Sequence, residues 1–216
     1  MPVTGNAARV IVFAKAPRPG SAKTRLIPLL GAEGAAALHA RLIEHTLATA
    51  RSAGIGPVEL HGTPANDDFL RECASRHAVA LVEQCEGGLG ERMHGAFEDA
   101  LGETRPVLLI GSDCPALTAG HLRRAAHALC EGHDAVFVPT DDGGYALIGL
   151  TRAHARLFAG IAWSTPAVMR ETRARLTEIG WQWAELETLW DVDRPEDYAR
   201  LRESGLLSAG ATFDRA

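Results

Sequence analysis

Val10-Ile11-Val12-Phe13-Ala14-Lys15-Ala16-Pro17-Arg18-Pro19-Gly20-Ser21-Ala22-Lys23-Thr24-Arg25-Leu26 joins an apolar run to a basic loop. That join decides the fold class. Residues 10–13 are continuously apolar and read as a buried first strand. From Ala14 to Leu26 the chain carries four cations, Lys15, Arg18, Lys23 and Arg25, and no acid, although the net charge of the protein is −5. Pro17, Pro19 and Gly20 keep this segment from forming a helix. A basic, glycine-containing loop at the carboxyl end of a first strand is where an open α/β sheet holds phosphates. The plainer alternative is a solvated loop. Lys23-Thr24 matches the end of a nucleoside-triphosphate P-loop, but Pro17 and Ala22 stand where its two glycines belong. Without those glycines the backbone amides cannot wrap a phosphate chain, and lysine and arginine side chains must hold it instead.

Outward from this loop, strand-like and helix-like segments alternate. Strands are expected at 58–61, 79–82, 107–110, 135–138, 145–150 and 181–186. Helices are expected at 32–53, 67–77, 90–101, 117–129, 167–179 and 195–202. On the first helix Leu38, Leu42, Leu47 and Ala50 fall on or near one face, and Gly54 stops it. The second turns Phe69, Leu70, Cys73 and Ala74 inward; the third carries Met93, Phe97 and Leu101 at spacing four. Residues 107–110 are apolar throughout, as in a central strand covered on both faces. Only a short turn separates 135–138 from 145–150, too short for a parallel crossover, so 145–150 is expected to run antiparallel. The expectation is one α/β domain over 1–205, with a mixed, mostly parallel sheet and helices on both faces. A small polar tail, 206–216, is expected to be disordered in part.

Composition sets outer bounds. Of the 216 residues, 46% are hydrophobic and 23% charged, ordinary values for a protein with a real core. No run of about 18 apolar residues occurs, so no membrane span is expected. The start of the chain lacks the charged-then-apolar pattern of a secretory signal, and a cytoplasmic location is expected. The mild acidity argues against a nucleic-acid partner. Cys73, Cys85, Cys114 and Cys130 are widely spaced and fit neither a zinc site nor a disulfide framework.

Four further groups fall near expected strand ends. Gly111-Ser112-Asp113-Cys114-Pro115 follows the most apolar strand, and a carboxylate there suits a hard divalent cation. The competing reading is that Asp113 caps the helix starting near Thr118. Pro139-Thr140-Asp141-Asp142-Gly143-Gly144-Tyr145 is a tight turn whose acids can orient a hydroxyl or act as a base. In Trp190-Asp191-Val192-Asp193-Arg194-Pro195, Asp191 and Asp193 face one side of an extended segment, which suits a shared metal; alternatively Asp193 caps the last helix. Gln84-Cys85-Glu86-Gly87-Gly88-Leu89-Gly90-Glu91-Arg92-Met93 is a glycine-rich helix entry against which a base or anion can pack. The histidines show no metal-ligand spacing and read mostly as surface or half-buried residues. Among the tryptophans, Trp163 in Ala162-Trp163-Ser164-Thr165 is the one singled out for testing.

The order of these motifs resembles the glycosyltransferase-A superfamily of nucleotide-sugar transferases and nucleotidyltransferases. More narrowly it resembles the bacterial radical-SAM/selenodomain-associated transferase 1 family. The residues that carry the resemblance are Ala14-Lys15-Ala16-Pro17 with Lys23-Thr24-Arg25-Leu26, Leu89-Gly90-Glu91-Arg92-Met93, Gly111-Ser112-Asp113-Cys114-Pro115, Asp141-Asp142-Gly143-Gly144-Tyr145, Trp163-Ser164-Thr165 and Asp191-Val192-Asp193. The chain departs from the family's usual pattern at Cys85 and Gly88, where a glycine and an acid are more usual. The resemblance implies a Rossmann-like sheet with a nucleotide over its N-terminal half. Lys15, Lys23 and Arg25 would meet phosphates, and Gln84, Gly87, Gly90 and Arg92 would lie along the nucleotide. Asp113, with Asp191 or Asp193, would hold Mg²⁺ or Mn²⁺ on the diphosphate. Gly143, Gly144, Tyr145, Trp163 and Ser164 would face the acceptor, with Asp141, Asp142 and Lys23 as candidate catalytic residues.

The expected activity is a metal-dependent transferase that moves a sugar from a nucleotide sugar to a small-molecule acceptor. The first alternative is a guanylyl- or cytidylyltransferase-like nucleotidyltransferase that releases pyrophosphate from a nucleoside triphosphate. The second is a nucleotide-binding module without catalysis. A homodimer is compatible with either.

Overall fold

The computed structural model describes residues 8–101 and 106–207. The expected tail lies, from residue 208 on, outside the described residues.

The elements are β1 (Arg9–Lys15), α1 (Ile27–Ala53), β2 (Val58–Thr63), α2 (Asp68–His77), β3 (Ala80–Glu83), α3 (Leu89–Leu101), β4 (Val107–Gly111), α4 (Ala119–Cys130), β5 (Ala135–Pro139), β6 (Tyr145–Leu150), α5 (Val168–Glu178), β7 (Trp183–Glu185) and α6 (Pro195–Ser204). The seven strands form one sheet in the order β3-β2-β1-β4-β6-β5-β7. β6 pairs antiparallel with both β4 and β5, and every other pair is parallel. The antiparallel strand is the one that the short turn after β5 demanded.

Alternation along β1 shows why the sheet is covered on both faces. Val10 and Val12 join a core layer with Leu47 of α1, Leu70 of α2 and Leu122 of α4. Ile11 and Phe13 point the other way, to Phe97 of α3 and Met169 and Leu176 of α5. Each fully buried side chain of this size contributes about 1.5–3 kcal/mol. A third cluster, built on Leu26, Leu38, Leu42, Trp190, Val192 and Leu201, fastens α6 and the segment before it to α1.

Several boundaries differ from the sequence reading for local reasons. α1 begins at Ile27 rather than 32, but Gly31 breaks the helical geometry (φ 70°, ψ 168°), so the regular part does start after it. The segment Thr24–Ala53 has the length and hydropathy of a membrane span, yet Leu38, Leu42, Ile43 and Leu47 are buried inside the fold, as in a core helix. α4 starts at Ala119, because Thr118 accepts from the His121 amide while the His121 ring accepts from the Thr118 amide. This reciprocal cap leaves Asp113 with no capping role. All four cysteines are free.

Candidate active site

The strand order reverses about β1: β2 and β3 follow on one side, β4 on the other. In open α/β sheets the crevice at the carboxyl ends of the strands beside such a reversal is the usual ligand site. Here it holds a cavity of about 500 Å³, lined among others by Phe13 of β1, Gly111 of β4, Tyr145 of β6, Asp113, Asp142 and Trp163.

Two backbone hydrogen bonds and one side-chain cap assemble its acidic wall. The Val192 amide donates to the Asp113 carbonyl at 2.9 Å, and Val192 is fully buried. Asp191 and Asp193, on either side of it, therefore flank the Asp113 segment. The Asp141 amide donates to the Leu189 carbonyl at 2.9 Å, which brings the turn after β5 to the same place. Asp197, in the first turn of α6, accepts from the amides of Asp193 and Arg194 at 3.0 and 2.8 Å, and Arg194 is the cap residue, so Asp193 is not the cap.

Lys23 sits at the centre of this wall. Its backbone is left-handed (φ 48°), a strained conformation for a non-glycine residue. Its side chain is only 3% exposed, with Nζ 2.8 Å from Asp113 Oδ1 and 3.4 Å from Asp193 Oδ1. Arg25 pairs with the other oxygen of Asp193. Burial works against the Lys23 charge, but Asp113 first and then Asp193 outweigh it and hold the ammonium's pKa above the usual lysine value. Burial likewise disfavours the Asp113 carboxylate; Lys23 and His39 overcome this and leave its carboxyl below the ordinary range.

For Asp191 the Lys23 charge offsets only part of the cost. Its Oδ1 is buried with no hydrogen-bond partner. Burial, then the charges of Asp142, Asp113 and Asp193, push its carboxyl up to about 7. Asp142 Oδ1 accepts from the Thr140 hydroxyl at 2.6 Å and the Gly144 amide at 2.9 Å, which fixes the turn. Tyr145 and Trp163, which line the same cavity, meet edge to face with ring centres 6.4 Å apart. Ser164 follows in a left-handed conformation (φ 62°).

The structure thus brings together Lys23, Arg25, Asp113, Asp142, Gly144, Tyr145, Trp163, Ser164, Asp191 and Asp193 on one cavity. The other expected site residues lie outside its lining. Lys15 donates to the Ser21 carbonyl at 3.1 Å. Asp141 turns outward to Arg200 at 3.1 Å. Gln84 is buried, donates to the His61 carbonyl at 2.7 Å and accepts from Arg92 at 2.9 Å. Gly87 belongs to a loop closed on itself, where Glu91 accepts from the Gly88 amide at 2.7 Å. Gly143 packs against Pro166 with φ 89°. Gly90 lies under Trp163, beside a second cavity of about 450 Å³ that shares that ring.

One residue near the site was not singled out from sequence. His39 is buried, and its Nε2 donates to the Lys15 carbonyl at 3.0 Å, which leaves Nδ1 without a hydrogen bond, 3.7 Å from Asp113 Oδ1. Burial keeps the ring's pKa below the ordinary histidine value. The available signal was a polar residue amid the apolar stripe of α1, beside Leu38 and one turn before Ile43. Elsewhere Glu44, Cys73 and His77 bring possible metal-ligand atoms within 4.8 Å of one another. Glu44 is already paired there with His77, at 2.6 Å, and with Arg76, and burial pushes the Cys73 thiol up to about 12.

Residues 46–165, more than half of the chain, match the family described as "Uncharacterized protein conserved in bacteria (DUF2064)". This chain belongs to that family. The matched span includes Asp113, Asp142 and Trp163 but neither Lys23 nor the Asp191 and Asp193 pair. A crystal structure of a candidate nucleotide-diphospho-sugar transferase from Desulfovibrio desulfuricans G20 superposes with a TM-score of 0.84 at 26% identity, covering 98% of this chain and 92% of that one. A nucleotidyl transferase from Methanothermobacter shares the fold, with a TM-score of 0.61, 18% identity and coverage of 95% and 100%. The erythromycin biosynthesis sensory transduction protein EryC1 of Saccharopolyspora erythraea is 46% identical over 54 residues. That stretch is 25% of this family member and spans only 14% of the curated relative.

Proposed function

We propose that this protein is a metal-dependent transferase that moves a sugar from a nucleotide sugar to a small-molecule acceptor. The observation that carries the reading is the meeting of Asp113, Asp191 and Asp193 with Lys23 and Arg25 on one cavity that Tyr145 and Trp163 also line. The similarity to the Desulfovibrio protein supports it. The narrower resemblance to the radical-SAM/selenodomain-associated transferase 1 family belongs to the same proposal.

The residues present fit a hard divalent ion. Asp191 Oδ1 is a buried carboxylate oxygen with no donor, and the neighbouring Asp113 and Asp193 supply further oxygens of the type that Mg²⁺ and Mn²⁺ prefer. When bound, the ion would neutralise charge on the departing nucleoside diphosphate. Lys23 and Arg25 bind the phosphates and stabilise the same developing charge. Tyr145 and Trp163 offer apolar ring faces to a sugar. Of the two adjacent acids, Asp142 lines the cavity and Asp141 does not. Asp142 is anchored through Oδ1, and its second oxygen takes the proton of the acceptor hydroxyl.

Nucleotidyl transfer is the second reading. The cationic loop favours it, because several positive charges suit a triphosphate, and so does the shared fold of the Methanothermobacter nucleotidyl transferase. A thermal-shift panel separates the two. Nucleotide sugars with Mn²⁺ are expected to raise the melting temperature, which supports glycosyl transfer. A response confined to nucleoside triphosphates replaces it with nucleotidyl transfer, and no response to any nucleotide contradicts both.

A further inference from the structure

Lys23 occupies the place from which a cation would compensate Asp113 and Asp193. Its Nζ lies 2.8 Å from one carboxylate and 3.4 Å from the other, on a side chain that is 3% exposed. Arg25 takes the remaining oxygen of Asp193. Two of the three candidate metal carboxylates are thus already paired with the chain's own cations. A divalent ion on the same oxygens would sit about 2.0–2.2 Å from them, against a buried ammonium of like charge. Burial of the side chain and its two ion pairs hold that ammonium in place.

Building on the metal-dependent reading above, we propose that Lys23 is a tethered counter-ion that bars the divalent metal from the empty site. The phosphates of the nucleotide draw the ammonium away and free the carboxylates, so the metal enters with the nucleotide and not before it. Lys23 therefore changes partner during binding, from Asp113 and Asp193 to phosphate. Three unscreened acids without a nearby cation would otherwise capture Mg²⁺ or Mn²⁺ from solution.

The test is Mn²⁺ binding followed by the electron paramagnetic resonance signal of the free ion, with and without a nucleoside diphosphate. Wild-type protein is expected to bind Mn²⁺ weakly alone and about tenfold or more tightly with the nucleotide. Lys23→Met is expected to bind Mn²⁺ alone at least about tenfold more tightly than wild type, because one positive charge has left the site. Lys23→Asn, which tolerates the left-handed backbone, guards against a folding failure of the first variant. The gain must disappear in Lys23→Met with Asp113→Asn; a gain that persists lies elsewhere and overturns the inference. Mn²⁺ binding to nucleotide-free wild type as tightly as to Lys23→Met overturns the inference alone. No Mn²⁺ binding by any form, with or without nucleotide, overturns the metal-dependent reading as well.

Discussion

Asp191 carries an electrostatic cost that its neighbours avoid. Lys23 compensates Asp113 and Asp193, whereas Asp191 Oδ1 is buried without a donor and its carboxyl is pushed up to about 7. In the unfolded chain the group titrates near about 3.9. Below that pH both states are protonated and the folded state keeps its full stability. Between the two values the folded protein retains a proton that the unfolded chain has released, so stability falls as pH rises through about 7. In metal-free protein, Asp191→Asn is therefore expected to match wild type near pH 4 and to exceed it above pH 7. The gain should be on the order of 1 kcal/mol after solvent screening. That is about 2–4 °C in melting temperature for a chain of this size. Thermal melts at the two pH values check this; an equal change at both would mean that Asp191 is not held at a raised pKa.

The connection from α3 to the 163–165 segment depends on a missing side chain. A Cβ on Gly90 would lie 2.7 Å from Trp163 Nε1 and 2.9 Å from the Phe158 carbonyl oxygen, and the latter is backbone that cannot swing aside. Gly90→Ala is expected to cost about 1–3 kcal/mol through overpacking and to tilt Trp163 out of the cavity wall. Tryptophan fluorescence and a thermal melt read both effects; an unshifted melt and spectrum would show that the contact is slack. At this scale the sequence was informative about element type, since apolar periodicity and turn residues marked all seven strands and six α-helices among the described residues, though not the single 3-10 turns at Thr24–Leu26 and Ala155–Leu157. It was less informative about element ends. Thr118, which caps α4, and Asp197, whose side chain accepts from the N-cap amide of α6, are less conspicuous in the sequence than the nearby acids Asp113 and Asp193. Capping depends on one rotamer, and spacing does not report it.

Across the whole molecule, the reversal of strand order beside β1 gathers residues from distant parts of the chain into one crevice. Lys23, Asp113, Asp142 and Asp193 could be singled out from sequence because each sits in a polar segment just past an apolar strand or before a helix. What spacing could not show is which charges meet. Lys15 and Lys23 look alike in the loop, yet one binds a carbonyl at the surface and the other is buried between carboxylates. His39 was hidden for a related reason: only the packing of α1 against the loop brings it near Asp113. In the proposed reaction Asp113 anchors a divalent ion on the bound nucleotide. Calorimetric titration of a nucleoside diphosphate into wild type and Asp113→Ala, with and without Mn²⁺, tests it most directly. Mn²⁺ is predicted to tighten binding to wild type about tenfold or more and to leave the folded variant unchanged. An equal Mn²⁺ enhancement in Asp113→Ala would contradict the claim.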